Sequence, residues 1–291
     1  MPTMELLQPT SLDEAVALLA QHGDEARIVA GGTAVVLMLK NRLIAPGALL
    51  SLGRLPGLRS IRHEPGTGLR IGALATIRDA ELSPLVRQHH PTLAKTFGKV
   101  ANVRVRNAAT VGGNLSEADY ASDPPCVLVA MRARVRAVSP RGEREIPLTS
   151  FFTRFYETAL APDEILTELI VPDQSPTTHS AYLKHVTRSS EDRPCVGVAA
   201  VVELNADGTC RDLRLVAGAV AERPQEIEAA EARARGQRLT EELMDEVGQA
   251  YASGIDALSD VRGSEWYRQQ VTRVLVRRAI QQALAGGNGR A

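Results

Sequence analysis

Two pairs of adjacent glycines constrain the fold of this chain more than any other feature of its sequence. Gly31-Gly32 stands between two apolar runs and precedes Thr33, and Gly112-Gly113 stands between Thr110 and Asn114. Glycine adopts positive φ angles readily and lets another group approach the backbone, so each pair predicts a tight connection. Unpaired N–H groups at the start of a helix attract phosphate, whereas a ligand-free turn is the alternative for either pair.

The residues around the first pair predict a strand, a turn and a helix. ARIVA (26–30) is short and apolar, as buried strands are, and TAVVLMLKNRL (33–43) has the pattern of a helix that begins at Thr33. Neither a GxGxxG fingerprint nor the lysine of a P-loop accompanies either pair. Two loops flanked by hydrogen-bond donors therefore predict a different kind of site, in which a dinucleotide diphosphate is gripped from both sides.

The remaining pattern predicts a mixed α and β chain in two parts. Ser11 and Glu14 have the capping-box spacing that begins an amphipathic helix. Up to about residue 175 we expect a strand at 47–52, hairpins at 58–74 and 134–148, helices at 76–88, 91–101 and 124–131, and a helical turn leading into a strand at 163–172. The polar segment 173–180 predicts a domain boundary. Beyond it we expect three antiparallel strands and two long helices, at about 226–254 and 264–285.

Composition excludes several classes of function. Lys and Arg together number 34, as do Asp and Glu, and aromatic residues make up only 3%, which argues against nucleic-acid binding. No apolar run approaches the ~20 residues of a membrane span, and the N-terminus lacks the pattern of a secretory signal, so we expect a cytoplasmic protein. Cys126, Cys195 and Cys210 are too few and too scattered for an iron–sulfur cluster or structural zinc, and we expect buried thiols.

Other polar residues are not expected to form a site. His89-His90 has no acidic or cysteine partner at a ligand spacing, so no metal site is predicted on this chain. Arg104 and Arg106 precede the second glycine pair, where a solvated surface is favoured over contact with a phosphate or a partner. No Ser–His–Asp arrangement and no general base can be assigned, so no catalytic residue is predicted.

The two glycine segments, VAGGTAVVLMLKNRL and NAATVGGNLSEADYASDPP, resemble the FAD-binding medium subunit of the molybdenum hydroxylases, the carbon monoxide and xanthine dehydrogenase type. Further segments in the same order, including YLKHVTRSSEDRPCVGVAAVVEL, extend the resemblance over nearly the whole chain. It implies an α+β fold with a two-lobed PCMH-type FAD-binding domain at 1–175, with lobes at about 1–56 and 57–175. A C-terminal domain of antiparallel sheet plus helices is implied at 178–286.

The resemblance also implies which residues bind the cofactor. The first FAD loop would comprise Ala30, Gly31, Gly32, Thr33, Ala34 and Val35, although relatives often have Asp, Asn or Ser in place of Ala34. The second, around the diphosphate, would comprise Thr110, Gly112, Gly113 and Asn114. Asp123 matches an acidic position that contacts the adenosine half, with a helix N-cap as its alternative. Leu166 and Lys184 match positions near the flavin ring or ribityl chain, with a solvated strand lysine as the alternative for Lys184.

By the same resemblance, the chain would be the electron-transfer subunit of an FAD-dependent oxidoreductase complex. A large molybdenum–pterin subunit would oxidise the substrate, and a small subunit with [2Fe–2S] clusters would relay electrons to the FAD. This chain would pass them to an external acceptor such as NAD, a quinone or oxygen, within a heterohexamer of two copies of each subunit. Two alternatives stay open: a self-sufficient FAD-dependent oxidoreductase of related fold, and a non-redox nucleotide-binding regulatory or assembly subunit.

Overall fold

The computed structural model describes residues 4–287 of the 291-residue chain. Its helices are α1 (Leu12–His22), α2 (Val35–Lys40), α3 (Ile77–Leu82), α4 (Pro84–His89), α5 (Pro91–Phe97), α6 (Val103–Arg106), α7 (Val111–Glu117), α8 (Asp123–Ala130), α9 (Leu148–Phe151), α10 (Glu228–Glu231), α11 (Glu241–Gly254) and α12 (Glu265–Gly287). Its strands are β1 (Glu5–Leu7), β2 (Ala26–Val29), β3 (Ala48–Ser51), β4 (Ile61–Glu64), β5 (Gly68–Gly72), β6 (Arg134–Ser139), β7 (Gly142–Pro147), β8 (Phe152–Arg154), β9 (Glu157–Thr158), β10 (Ile165–Val171), β11 (Thr178–His185), β12 (Val196–Leu204) and β13 (Cys210–Gly218).

A small parallel sheet, in the order β1-β3-β2, begins the fold. The α1 helix that packs on it starts as predicted, with the Ser11 hydroxyl accepting from the N–H of Glu14. The Glu14 carboxylate accepts from Thr10 instead of closing a capping box on Ser11. The predicted helix at 33–43 is shorter than expected, because Arg42 adopts a left-handed conformation with φ 57° and ends it.

An antiparallel sheet of five strands follows, in the order β4-β5-β10-β6-β7. Both predicted hairpins are confirmed, as β4–β5 and β6–β7. The helix predicted at 76–88 is two helices, because Pro84 has no N–H to continue the first one and the Ser83 hydroxyl begins the second. The helix predicted at 91–101 ends earlier, at Phe97.

The C-terminal part is an antiparallel sheet, β11-β12-β13, buried between two layers. On one face, Ala199 and Val201 pack with α8 and the core of the preceding part. On the other face, Val198 and Ala200 pack with α11 and α12. The three strands are as predicted, but the helix expected at 226–254 is interrupted by an irregular segment between α10 and α11.

Because both of its faces are buried, the C-terminal sheet is held against α8, and the start of α8 borders the cleft described below. Cys126 of α8 donates its thiol hydrogen to the carbonyl of Val216, 2.9 Å away. All three cysteines are free and buried, as predicted. Within residues 4–287, no helix is both long enough and apolar enough to cross a membrane.

Candidate functional site

One deep cleft, with a volume of about 970 Å³, lies among the parallel sheet, the five-stranded sheet and the C-terminal part. That volume is at the upper end of the ~300–1,000 Å³ range of small-molecule sites. The structure brings every cofactor-binding residue predicted from the sequence to its walls: Ala30, Gly31, Gly32, Thr33, Ala34, Val35, Thr110, Gly112, Gly113, Asn114, Asp123, Leu166 and Lys184. Their direct contact with FAD stays a prediction.

The first glycine loop offers a row of backbone donors. Among the described residues, no protein acceptor takes a hydrogen bond from the N–H groups of residues 31–35. Gly32 has φ +73° and its carbonyl accepts the first helical bond, from Val36 at 3.0 Å. Consecutive free N–H groups in such a turn form an anion-binding concavity, and a short helix such as α2 adds little dipole to it. The loop therefore fits a phosphate-bearing cofactor.

Gly31 has a packing role that the sequence pattern did not show. A Cβ atom at this position would lie 1.9 Å from the carbonyl oxygen of Ala108, so only glycine fits. Gly112 is similar, since its Cβ would lie 2.6 Å from that of Ala73. Gly31 therefore lets the first glycine loop contact the backbone at Ala108, and Gly112 lets the second glycine segment contact Ala73. Gly32 differs from both, because its own Cβ would find ordinary van der Waals space.

The second glycine pair is not a loop. It lies in the first turn of α7, with Thr110 as the N-cap. Its N–H groups are already bonded within the protein: Gly112 donates to the carbonyl of Ala73 at 2.8 Å, and Gly113 to the Thr110 hydroxyl at 3.0 Å. Asn114 exchanges hydrogen bonds with the side chain of Ser122. The two segments are therefore unequal, and the first supplies the free backbone donors.

Asp123 and Lys184 form a buried ion pair in the wall of the cleft. The Lys184 ammonium lies 2.9 Å from one carboxylate oxygen, and both side chains are 5% exposed. The Tyr182 hydroxyl donates to the other oxygen at 2.7 Å, and Lys184 also donates to the carbonyl of Lys99 at 2.9 Å. Burial raises the pKa of Asp123, and the neighbouring Lys184 opposes that rise.

This pair rules out two of the alternatives considered from the sequence. Lys184 is not a solvated strand lysine, because its side chain is buried against the carboxylate. Asp123 is not the N-cap of α8, because Ser122 occupies that position. The assignments of Asp123 to the adenosine half and of Lys184 to the flavin half stay predictions.

Other residues that were considered lie in different environments. Leu166 is a buried residue of β10 beside a β-bulge, and it contributes to the wall. Arg106 is not part of a solvated surface, because it pairs with Glu81 and donates to the carbonyls of Val100 and Ala101. Arg104 is exposed, as favoured from the sequence.

Sequence reasoning missed a charged part of the cleft. Arg193 pairs with Asp119 at 2.7 Å, and both line the cleft together with Glu117. Burial raises the pKa of Glu117. The charged run Glu191-Asp192-Arg193 soon after a predicted strand was the available signal, but nothing in the sequence indicated that it faces the glycine segments.

Comparison with known proteins identifies the family. The family model described as the FAD binding domain in molybdopterin dehydrogenase matches residues 2–174, and the CO dehydrogenase flavoprotein C-terminal domain matches residues 181–283. The chain belongs to the FAD-binding medium subunits of the molybdenum hydroxylases. The family resemblance, the α+β fold with an FAD-binding domain and a C-terminal domain, and FAD as the cofactor are confirmed.

Individual relatives cover nearly the full chain. The carbon monoxide dehydrogenase medium chain of Hydrogenophaga pseudoflava is 32% identical over 284 residues, covering 98% of each chain. The 6-hydroxypseudooxynicotine dehydrogenase complex subunit alpha of Paenarthrobacter nicotinovorans is 34% identical, covering 97% of this chain and 95% of the relative. A solved structure of the Hydrogenophaga pseudoflava carbon monoxide dehydrogenase matches with a TM-score of 0.93 and 34% identity, covering 98% of this chain and 99% of that one.

Proposed function

We propose that this medium subunit binds FAD in the cleft, receives electrons from a [2Fe–2S] small subunit and passes them to an external acceptor. The observation that carries the proposal is the row of free N–H groups at residues 31–35, which faces a cleft large enough for a dinucleotide. The anionic oxygens of a diphosphate would accept the hydrogen bonds that these N–H groups do not make within the described protein.

The roles of the chain in this reaction are binding and positioning. When bound, FAD supplies the redox chemistry, so no side chain of this subunit is assigned as a catalytic acid or base. The first glycine loop would hold the diphosphate by backbone hydrogen bonds. The Asp123–Lys184 pair would present a polar edge of zero net charge at one end of the cleft, and Leu166 an apolar wall.

Relatives named as medium chains or medium subunits of dehydrogenases and of a hydroxylase support an assembly of several subunits. We propose that a molybdenum–pterin large subunit and a [2Fe–2S] small subunit join this chain, with two copies of each in a cytoplasmic heterohexamer. We also propose domains at 1–175 and 178–286, with lobes meeting near residues 56 and 57. The change from the parallel sheet to the five-stranded sheet at this point supports the lobes.

The first experiment is a visible absorption spectrum of the purified chain before and after added FAD, with acid release of the bound cofactor. A flavin spectrum, with one FAD released per chain, is expected. A folded chain that stays colourless and takes up no FAD would contradict the proposal and favour a regulatory or assembly role.

A second experiment tests the electron path. In the assembled complex, substrate should bleach the flavin absorbance, whereas the isolated FAD-loaded chain should show no bleaching with the same substrate. Bleaching by the isolated chain would favour a self-sufficient oxidoreductase. Complex formation and flavin content are measured on the same samples, so a failure of assembly is distinguished from a failure of electron transfer.

A further inference from the structure

Two histidines and a carboxylate converge at a place separate from the cleft. His63 of β4, His89 at the end of α4 and Asp173 just after β10 each contribute one potential ligand atom, and these atoms all lie within 4.8 Å of one another. None of the three lines the cleft. His89 was judged from the sequence to lack partners, and the fold supplies two of them from distant parts of the chain.

The contacts within this cluster are specific. The Nε2 atom of His63 lies 2.7 Å from an Asp173 carboxylate oxygen, and the other oxygen accepts from the N–H of Gly66 at 3.3 Å. The imidazole rings of His63 and His89 stack, with centroids 3.7 Å apart. The side chains of His63 and Asp173 are 17% and 40% exposed, so an ion from solvent has access to the cluster.

A third histidine, His90, directly follows His89 in the chain. His90 is buried, and neither of its ring nitrogens has a hydrogen-bond partner within the described part of the chain.

We propose that His63, His89 and Asp173 form a binding site for a divalent transition metal of the zinc class. Two imidazole nitrogens and one carboxylate oxygen are ligands that Zn²⁺ accepts in open sites, where water completes the coordination. The ion would replace the proton that His63 and Asp173 share, because metal ligands must be deprotonated.

Binding requires side-chain movement. The lone pairs of the two stacked imidazoles lie in nearly parallel ring planes and cannot both aim at one ion, so His89 must rotate about χ2, a torsion with a broad energy profile. The contact between His63 and Asp173 must widen from 2.7 Å to roughly 3.3 Å, the edge of a tetrahedron with metal–ligand bonds of ~2.0–2.1 Å.

The position of the site suggests a structural role. It would join the β4–β5 hairpin, α4 and the segment after β10, where the predicted domain boundary at 173–180 begins. An ion that binds the folded chain and not the unfolded chain stabilises the folded state in proportion to the logarithm of its concentration. The bound ion would thus link the end of the FAD-binding part to the β4–β5 hairpin of the same part.

Calorimetric titration of the chelator-treated full-length chain with Zn²⁺ at pH 7.5 tests the proposal. We expect one ion per chain and a rise in melting temperature with Zn²⁺ concentration. His63→Ala and His89→Ala should each weaken binding at least tenfold. His179→Ala, on β11 and outside the cluster, is the matched control and should bind as the unsubstituted chain does.

Circular dichroism keeps the test independent of misfolding, and His89→Gln replaces His89→Ala if that variant does not fold. Equal Zn²⁺ affinity in the folded His63 and His89 variants, or an affinity no tighter than millimolar in the unsubstituted chain, would overturn the proposal. FAD uptake is measured on the same samples. Because the cluster lies outside the cleft, normal FAD uptake without Zn²⁺ binding would reject only the metal site.

Discussion

The Lys184 ammonium lies 2.9 Å from the Asp123 carboxylate, and this ion pair joins the C-terminal sheet to the start of α8 in the wall of the cleft. The two residues come from different family-model regions, 2–174 and 181–283. Their contact therefore makes one wall of the cleft depend on how the two regions pack together.

Removing one partner of this pair should be more harmful than removing both. Lys184→Met leaves the buried carboxylate without its cation and should lower the free energy of unfolding by ~3–5 kcal/mol. The double variant Asp123→Asn, Lys184→Met should recover part of that loss, because neither buried charge remains. Urea denaturation of the single and double variants measures both effects. A double variant less stable than Lys184→Met would show that the pair is not coupled in this way.

Gly31 and Gly32, the two members of the first glycine pair, should respond differently to substitution. Gly31→Ala places a Cβ on the carbonyl of Ala108 and should disrupt the fold. Gly32→Ala makes only ordinary van der Waals contacts but must keep φ +73°, which costs about 1–2 kcal/mol. Thermal unfolding should therefore show a much larger loss for Gly31→Ala. Gly57→Ala, at φ +77° with nothing within 4 Å, controls for strain alone.

Bulk at Gly32 should also weaken FAD binding. Gly32→Val puts a β-branched side chain beside the free N–H groups and makes the left-handed turn unfavourable. We expect at least a tenfold rise in the FAD dissociation constant, measured by fluorescence titration. Gly57→Ala should leave this constant unchanged, since Gly57 does not line the cleft. Undiminished flavin binding by a folded Gly32→Val variant would remove the loop from the binding site.

Tyr120 is expected to position a wall of the cleft without touching FAD. It stands between the cleft residues Asp119 and Ala121, and its hydroxyl donates to Asp260 at 2.8 Å. Arg268, which is fully buried, also pairs with Asp260. Although burial raises it, the hydrogen bonds and the Arg268 charge together lower the pKa of Asp260 to about 2.

Tyr120→Phe removes only the hydroxyl, so Asp260 keeps Arg268 but loses its bond to this segment, which should loosen the segment and raise the FAD dissociation constant about three- to tenfold. The flavin absorbance envelope should shift as well, which a general loss of stability would not cause. Tyr156→Phe is the control, because Tyr156 packs edge-on against Tyr120 and makes no bond to Asp260. Equal FAD affinity and spectra in both variants would refute a positioning role.

Glu231 should make stability depend on pH. It is buried and accepts from the N–H of Leu215, and burial raises its pKa to about 7. Because the pKa of Glu231 is raised in the folded state, its stabilising contribution is complete at a pH below its unfolded-state pKa of ~4.3. That contribution is lost as the pH rises to about 7. Glu231→Gln should therefore be nearly neutral at pH 5 and more stable than the unsubstituted chain at pH 8, by ~1–3 kcal/mol. Guanidinium denaturation at both pH values tests this, and an equal effect at both would contradict it.

The sequence by itself determined the local elements and the family. Short apolar runs, turn residues and cap residues such as Ser11 and Thr76 depend on neighbours within a few positions, so strands and hairpins could be predicted from the pattern. The segments that resemble the medium subunits lie in order along the chain, which made FAD predictable. Helix ends were less predictable where backbone geometry decides them, as at Arg42, whereas Pro84 is a helix break that the sequence itself carries.

Only the tertiary structure decided how these segments act together. The inequality of the glycine pairs depends on distant residues: the carbonyl of Ala73 accepts the N–H of Gly112, whereas the carbonyl of Ala108 only packs against Gly31. The pairing of Lys184 with Asp123 likewise depends on the packing of β11 beside α8. Such contacts arise when separate elements bury their apolar faces together, and no local pattern of residues encodes which side chains then meet.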